Sequence, residues 1–192
     1  MKCLIYCTKG EKNNHLHELY KEQKYPYYQI DNVKGWDVEP IPLNGKVVAR
    51  FWCDKIEEIK FIKGEEYSDM IINSRYETFC LSRSNLYSKS CLYFEQLHNY
   101  LKGKNGYAIH IKHLEVFDRP LELNEICSYY AETEKNIYYK VLLKAPQNMC
   151  YAYYNGELYC LISIQPQWVA KILNGEKTIE VRKKVLKEML ER

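Results

Sequence analysis

The sequence lacks any C-x-x-C pair, although it contains eight cysteines. Cysteines at that spacing are the usual mark of a zinc site or a redox-active disulfide, so neither is indicated. A leader with an apolar segment, the signal for an oxidising compartment, is not found either. Cys3 and Cys7 would share a strand face about 13 Å apart, too far for a disulfide. We therefore expect reduced, mostly buried thiols in a cytoplasmic protein.

Long apolar runs and a strong charge of one sign are also missing. No run approaches the length of a membrane span, so no membrane partner is expected. The 28 Lys and Arg residues against 25 Asp and Glu residues give a net charge of only +3. Nucleic-acid binding would therefore have to rely on a local basic patch. With no internal repeat or low-complexity tract, the chain is predicted to be one domain over residues 1–192.

Nineteen tyrosines are the most unusual feature that is present. Their rings can stack on nucleobases or line a β-sheet core. Strand patterns are clear at "KCLIYCT" near the N-terminus and at "GKVVARFWCDKIEEI". The stretch "SCLYFEQLHNYLKGKNG" has the apolar spacing of a helix, with Ser90 as the predicted cap. In "MCYAYYNGELYCLISI", Asn155-Gly156 is the favoured two-residue turn of a β-hairpin.

The segment "LISIQPQWVAKILNGEKTIEVRKK" near the C-terminus carries the most specific pattern. It predicts a strand ending at Ile164, a helix that begins at Pro166, and a helix stop at Asn174-Gly175. The following "KTIEVR" alternates, so Ile179 and Val181 are predicted to point to the core. After it, residues 185–192 form an apolar stripe that predicts an extra C-terminal helix.

The polar residues of "KTIEVR" are the candidate site, and three interpretations of them remain open. Thr178, Glu180 and Arg182 share the face opposite the core, while Lys177 lies on the apolar side. They could form a solvated strand face, a structural Glu–Arg ion pair, or a ligand-binding row. In the last case Arg182 could grip a phosphate or a base edge, with Lys177 as a point charge.

The order of these pieces resembles the signature of ASCH domains, which belong to the PUA-like β-barrel superfamily. That signature has a form like SIKPxxAxxILxGxKTxExR and matches residues 161–184, with Gln165 in place of the usual basic residue. Further stretches, such as "CLYFEQLHNYLKGKNGYAIHI" and "FDRPLEL", resemble ASCH proteins of phages and Gram-positive bacteria. In those proteins the signature comes first. The resemblance therefore implies an α+β, PUA-like mixed β-barrel with short flanking helices and a circularly permuted order, or alternatively a domain-swapped dimer.

The resemblance implies a module that binds RNA or a small nucleotide in a cleft lined by the "KTIEVR" strand. The residues expected to contact the ligand are those of this strand and three others nearby in the implied fold: Lys177, Thr178, Glu180, Arg182, Tyr6, Lys9 and His110. If the protein is phage-encoded, it would act in the host cytoplasm. A viral protein that sequesters a nucleotide signal or a host protein is a further alternative.

Some ASCH-fold proteins are enzymes, which makes a hydrolase the alternative function. One branch deacylates N4-acylated cytidine, and ribonuclease activity is the other possibility. Lys177 and Glu180 would be the catalytic residues, although the branch has a threonine where Glu180 stands. His110 and His113 lie three apart on one predicted strand, so they face opposite sides and cannot jointly hold a metal. We predict no metal and no cofactor.

Overall fold

The computed structural model describes residues 1–9, 43–61, 70–73, 83–132 and 137–190. Within those ranges the chain is mostly β-sheet with a few short helices, which confirms the α+β class. The strands are β1 (Lys2–Cys7), β2 (Val47–Trp52), β3 (Ile56–Phe61), β4 (Met70–Asn73), β5 (Gly106–His110), β6 (Lys112–Leu121), β7 (Cys127–Glu132), β8 (Ile137–Val141), β9 (Met149–Tyr154), β10 (Glu157–Ile164) and β11 (Ile179–Arg182). The α-helices are α1 (Arg83–Ser90), α2 (Phe94–Leu101), α3 (Pro166–Leu173) and α4 (Lys187–Leu190), and a 3-10 turn spans Leu123–Glu125.

The larger sheet has seven strands in the order β6-β2-β1-β10-β9-β7-β8. Its central strands β1 and β10 run parallel, with Leu4 opposite Leu161. Parallel strands of this kind are covered on both faces, which explains why "CLIYC" and "CLISI" are almost wholly apolar and buried. Leu4, Tyr6 and Leu161 pack with Val47 in one apolar cluster on one face of this sheet.

The smaller sheet has four strands in the order β11-β5-β3-β4, all antiparallel neighbours. Ile179 and Val181 of β11 enter an apolar cluster with Leu97 and Leu101 of α2, as the alternation predicts. Gly106 begins β5 where the chain passes close to its neighbours. A Cβ there would lie 2.6 Å from a Leu101 methyl carbon and 3.1 Å from the Arg182 carbonyl oxygen, so only glycine fits without a shift.

The chain divides into two compact units, each with one of the sheets. The large-sheet unit comprises Lys2–Phe51 and His113–Asn174, and the small-sheet unit comprises Met1, Trp52–Lys112 and Gly175–Arg192. Within the described residues neither sheet closes into a barrel: the first has β6 and β8 as edges, the second β11 and β4. The expected closed barrel is therefore corrected to two open sheets. Among the same residues, no helix is long and apolar enough to cross a membrane.

Two predictions of helix ends and turns are confirmed, and one is wrong. Helix α3 begins at Pro166, and Asn174 caps it before Gly175, whose φ is +80°. Asn155 and Gly156 both have positive φ and join β9 to β10, as a two-residue hairpin requires. The predicted cap at Ser90 is wrong, because Ser90 ends α1 and Tyr93 is the N-cap of α2.

The circularly permuted order would make "KTIEVR" and "KCLIYC" neighbouring strands, and this expectation is wrong. Strand β11 pairs with β5 in the smaller sheet, whereas β1 pairs with β10 in the larger one. The reason is that β1 is buried on both faces and pairs with an equally apolar strand, whereas β11 carries a polar face. Both halves of the 161–184 segment nevertheless pair with strands of the same chain.

None of the cysteines within the described ranges is in a disulfide, and four of them are buried: Cys3, Cys7, Cys53 and Cys160. Burial raises the pKa of the Cys7 thiol from its ordinary 9.0 to about 12. At a pH between these two pKa values, the Cys7 thiol has lost its proton in the unfolded chain and still holds it in the folded chain. The unfolded state therefore binds fewer protons, and stability falls as the pH rises through this window.

We expect this fall to be steeper in the wild type than in Cys7→Ala by about 1.4 kcal/mol per pH unit. Urea unfolding at a series of pH values from 9 upwards, with a reductant present, measures the free energy of unfolding of both proteins. Other ionising groups cancel in the difference between the two curves. Parallel curves would show that Cys7 is not the buried thiol that the structure describes.

Candidate functional site

The start of β11 is fixed on both sides by long-range backbone hydrogen bonds. The amide of Thr178 donates to the carbonyl oxygen of Lys89 at the end of α1, at 2.9 Å. The carbonyl oxygen of Thr178 accepts from the amide of Ile111, also at 2.9 Å. Because these bonds hold the backbone in place, the side chains of residues 177–182 are presented in a defined geometry.

Three charged side chains of this segment form a buried Lys–Glu–Arg cluster. Lys177, Glu180 and Arg182 are only 2%, 6% and 8% exposed. One carboxylate oxygen of Glu180 lies 2.9 Å from Arg182 Nε, and the other lies 3.4 Å from Lys177 Nζ. Lys177 Nζ also donates to the carbonyl oxygen of Ser90 at 2.6 Å. A single carboxylate therefore bridges two cations, and the solvated-face interpretation of the strand is wrong.

Burial dominates the electrostatics of Lys177. Removal from water lowers the pKa of its ammonium group, and the nearby Glu180 carboxylate offsets part of that effect. Buried ion pairs are often no more stable than apolar residues of similar size, so their stability alone does not account for such a cluster. A lysine with a lowered pKa beside a carboxylate is a typical feature of binding and catalytic sites.

Beside the buried cluster lie Tyr100 and Lys183, which are partly open to water. Tyr100, on α2, is 38% exposed, and the Lys183 ammonium lies 4.9 Å from its ring centroid. The pKa of the Tyr100 phenol is raised, mainly by burial and also by the charge of Glu180. Arg182 and a hydrogen bond with the backbone of Lys183 offset part of this rise. The charges of Arg182 and Glu180 therefore act on the phenol. Tyr100 and Lys183 thus form a partly exposed rim beside the Lys–Glu–Arg cluster.

A second polar group lies in the same sheet. Glu57, on β3, is fully buried, with Lys55 Nζ 2.6 Å from one carboxylate oxygen. His110 Nε2 lies 2.8 Å from the other oxygen. His110 is also the register partner of Ile179, so it does lie beside the "KTIEVR" strand.

The other predicted ligand contacts are placed differently. Thr178 is exposed while Lys177 is buried, so its hydroxyl does not share the surroundings of the ammonium group. Tyr6 and Lys9 belong to the large-sheet unit. Tyr6 is buried in the apolar cluster of that unit, and only Lys9 of the two is exposed. Among the described residues, no group of three His, Cys, Asp or Glu side chains is arranged to hold a metal ion.

No protein-family model, curated protein or solved structure gives a significant match to the chain. The ASCH resemblance therefore remains a prediction based on its motif.

Four residues of these polar groups are not predicted from the sequence: Lys55, Glu57, Tyr100 and Lys183. Glu57 lies 53 positions from His110 along the chain, and no local pattern links the two. Tyr100 follows Leu97 by one helical turn, which marks it only as a residue at the border of the apolar stripe. Lys183 directly follows the "KTIEVR" segment and could have been included with it.

Proposed function

We propose that the small-sheet unit binds a nucleotide, either free or as an unpaired unit of RNA, at the Lys–Glu–Arg cluster and its Tyr100–Lys183 rim. One observation carries the proposal. A carboxylate held between two buried cations lies in the same segment as Lys183, whose ammonium group stands 4.9 Å from the ring centroid of the exposed Tyr100. A nucleotide offers a matching set of groups: a planar base, polar edges and a phosphate.

The charge of this segment favours an anionic ligand. Residues 176–184 carry four cationic and two acidic side chains, a net charge of +2 out of the chain's +3. Lys183 and Lys184 are exposed and could contact a phosphate, as flexible ammonium groups commonly do. A local basic patch is therefore concentrated at the end of β11. The net charge of the whole chain does not indicate it.

The Tyr100 ring suits the base. Nucleobases stack on aromatic side chains irrespective of sequence, and cations beside the ring add to the attraction. Glu180 can accept a hydrogen bond from an exocyclic amine, and Arg182 can donate to a carbonyl or ring nitrogen. Both groups are held rigidly by each other, so little side-chain freedom is lost when a ligand binds.

Binding ranks above catalysis in this proposal. The hydrolase alternatives require a nucleophile in reach of a base, and the exposed Thr178 is not placed with Lys177. Ser90 has a buried hydroxyl to which no described residue gives a hydrogen bond, so it is the hydroxyl to examine if turnover is found. A PUA-like ASCH module in permuted order, monomeric or domain-swapped, is the family assignment that we propose with this function.

A thermal-shift screen tests the proposal directly. Nucleosides, nucleoside monophosphates, cyclic nucleotides and short RNAs would each be added to the purified protein. A ligand that binds only the folded state raises the free energy of unfolding, by about 2.7 kcal/mol at a concentration one hundred times its Kd. The melting temperature rises as a result. Shifts are expected for the phosphate-bearing compounds, and none is expected for ribose added as a control. The absence of any shift across the screen contradicts the proposal.

Substitution of Tyr100 by alanine is expected to weaken binding of the best nucleotide on the order of tenfold, because base–aromatic stacking contributes about 1–3 kcal/mol. Tyr93→Ala is the matched control, since Tyr93 lies at the start of the same helix and is more exposed, at 77%. Isothermal titration calorimetry measures both variants. If Tyr93→Ala loses as much affinity as Tyr100→Ala, the ring assignment is incorrect.

A further inference from the structure

Strand β8 is an edge of the larger sheet, and among the described residues no strand pairs with its outer side. The amide of Leu142 donates to the carbonyl oxygen of Ile126 at 2.8 Å, so the backbone of residue 142 faces β7. Successive residues of an antiparallel strand direct their backbone groups to alternate sides. The amides and carbonyl oxygens of Tyr139 and Val141 therefore point outward, along the edge of the sheet.

The two edges of the larger sheet are protected to different degrees. Strand β6, at the opposite edge, carries four charged residues and a proline, which are features that hinder the pairing of edge strands. Strand β8 carries one charged residue, Lys140, among aromatic and apolar side chains. Its exposed uncharged side chains are between 42% and 49% accessible: Tyr138, Tyr139 and Val141. An edge of this composition favours pairing with another strand.

We propose that β8 pairs antiparallel with β8 of a second copy of this chain, across a twofold axis at Tyr139, so that the larger sheets of the two copies join. The outward backbone groups require an extended polypeptide as the partner, because only a strand offers a matching ladder of amides and carbonyl oxygens. In this register residue 139 exchanges hydrogen bonds with residue 139 of the second copy, and residue 141 does so with residue 137.

The sequence of β8 is self-complementary in this register. Lys140 of each copy lies opposite Tyr138 of the other, in a close pair where an ammonium group can contact an aromatic ring. The two lysines are offset by two residues along the strands, so they do not oppose each other. Side chains alternate between the faces, which leaves the two Tyr139 rings to meet on the opposite face. No charge in β8 therefore meets a like charge across the axis.

This dimer differs from a domain swap, because β10 and β11 pair with strands of their own chain. A contact through one strand edge is at the small end of protein interfaces, so we expect a dimer that dissociates on dilution. The contact lies in the large-sheet unit. It goes beyond the nucleotide site of the small-sheet unit and does not depend on it, so the two proposals fail separately.

Oxidative cross-linking tests the register. Tyr139→Cys places two thiols at the axis, where the Cα atoms of a hydrogen-bonded pair are about 5.5 Å apart, within the range of a disulfide. Val141→Cys is the matched control. Val141 is similarly exposed on the same face, but its two copies would be about 13 Å apart along the strands, too far for a disulfide.

We expect a covalent dimer for Tyr139→Cys on non-reducing electrophoresis, with the bond mapped to position 139 by mass spectrometry. Val141→Cys should give no more dimer than the wild type, whose native cysteines set the background. Equal cross-linking of the two variants overturns the proposal, and so does a yield for Tyr139→Cys that does not exceed the background. Circular dichroism shows that both variants are folded.

Sedimentation equilibrium over a range of concentrations tests the same pairing without new cysteines. Tyr138→Lys sets a cation opposite Lys140 twice in the dimer, so its dissociation constant should rise on the order of tenfold. Tyr138→Glu forms an ion pair twice, so the constant should fall by a similar factor. The same two substitutions at Tyr93, a more exposed tyrosine in the other unit, should change nothing. A wild type that stays monomeric at every concentration, or an equal response to both charges at position 138, overturns the proposal.

Discussion

Replacement of Glu180 by alanine is expected to lower the free energy of unfolding by about 3–5 kcal/mol, as the loss of one partner from a buried ion pair typically does. Glu180 is the only acidic residue of "KTIEVR", and its two oxygens lie against Lys177 and Arg182. Without it, two cations remain close together at low exposure. The burial that lowers the pKa of Lys177 would then be less well offset, because the Glu180 carboxylate is the main group that raises it.

Urea unfolding followed by circular dichroism measures this change. Glu95→Ala is the matched control, because Glu95 is an exposed glutamate in the same unit and should change stability by no more than about 0.5 kcal/mol. A loss for Glu180→Ala as small as that of the control would show that Glu180 is solvated rather than buried between the two cations.

The triple replacement Lys177→Met, Glu180→Leu, Arg182→Met is expected to separate stability from function. Apolar residues of similar volume often replace a buried ionic group without loss, or with a gain of about 1–4 kcal/mol. The variant should therefore fold at least as well as the wild type. Its affinity for the nucleotide identified by the screen should fall at least about a hundredfold, since contacts with charged groups contribute about 1.5–3 kcal/mol each.

Calorimetric titration of this variant, beside urea unfolding, provides both readouts. A stable variant that still binds the nucleotide with wild-type affinity would mean that the Lys–Glu–Arg cluster is a structural ion group only. The single variants Lys177→Ala and Arg182→Ala are less informative. Each leaves Glu180 buried with one cation fewer, so lost affinity would be accompanied by lost stability.

The parts of the fold that were predicted correctly are those with local signals. Pro166 and Gly175 delimit α3, and Asn155-Gly156 forms the hairpin, because proline, glycine and asparagine restrict the backbone within a few residues. Strand partners were predicted less well. The parallel pairing of β1 with β10 joins residues more than 150 positions apart, and only their shared apolar character indicates it. An alternating pattern such as that of "KTIEVR" does not specify the sheet to which a strand belongs.

The burial of the candidate site was not predicted from the sequence. Lys177, Glu180 and Arg182 were chosen because of the motif resemblance, and the alternation correctly assigned Ile179 and Val181 to the core. Alternation alone predicts that the opposite face is solvated, whereas Glu180 and Arg182 are nearly as buried as the core residues. Burial depends on what packs over a face, which a short motif does not encode. The same reason explains why the contact of Lys183 with Tyr100 was not predicted.

One spectrum tests most directly whether the Lys–Glu–Arg cluster is the ligand site. The Nε–H resonance of Arg182 in a nitrogen-15 spectrum can be assigned by its absence in Arg182→Lys, and it reports on the nitrogen that lies 2.9 Å from a Glu180 carboxylate oxygen. During titration with the nucleotide selected by the thermal-shift screen, we predict that this resonance moves and reaches saturation at the Kd found by calorimetry. If the ligand saturates the protein while the Arg182 resonance stays in place, the nucleotide binds elsewhere and the proposed site is contradicted.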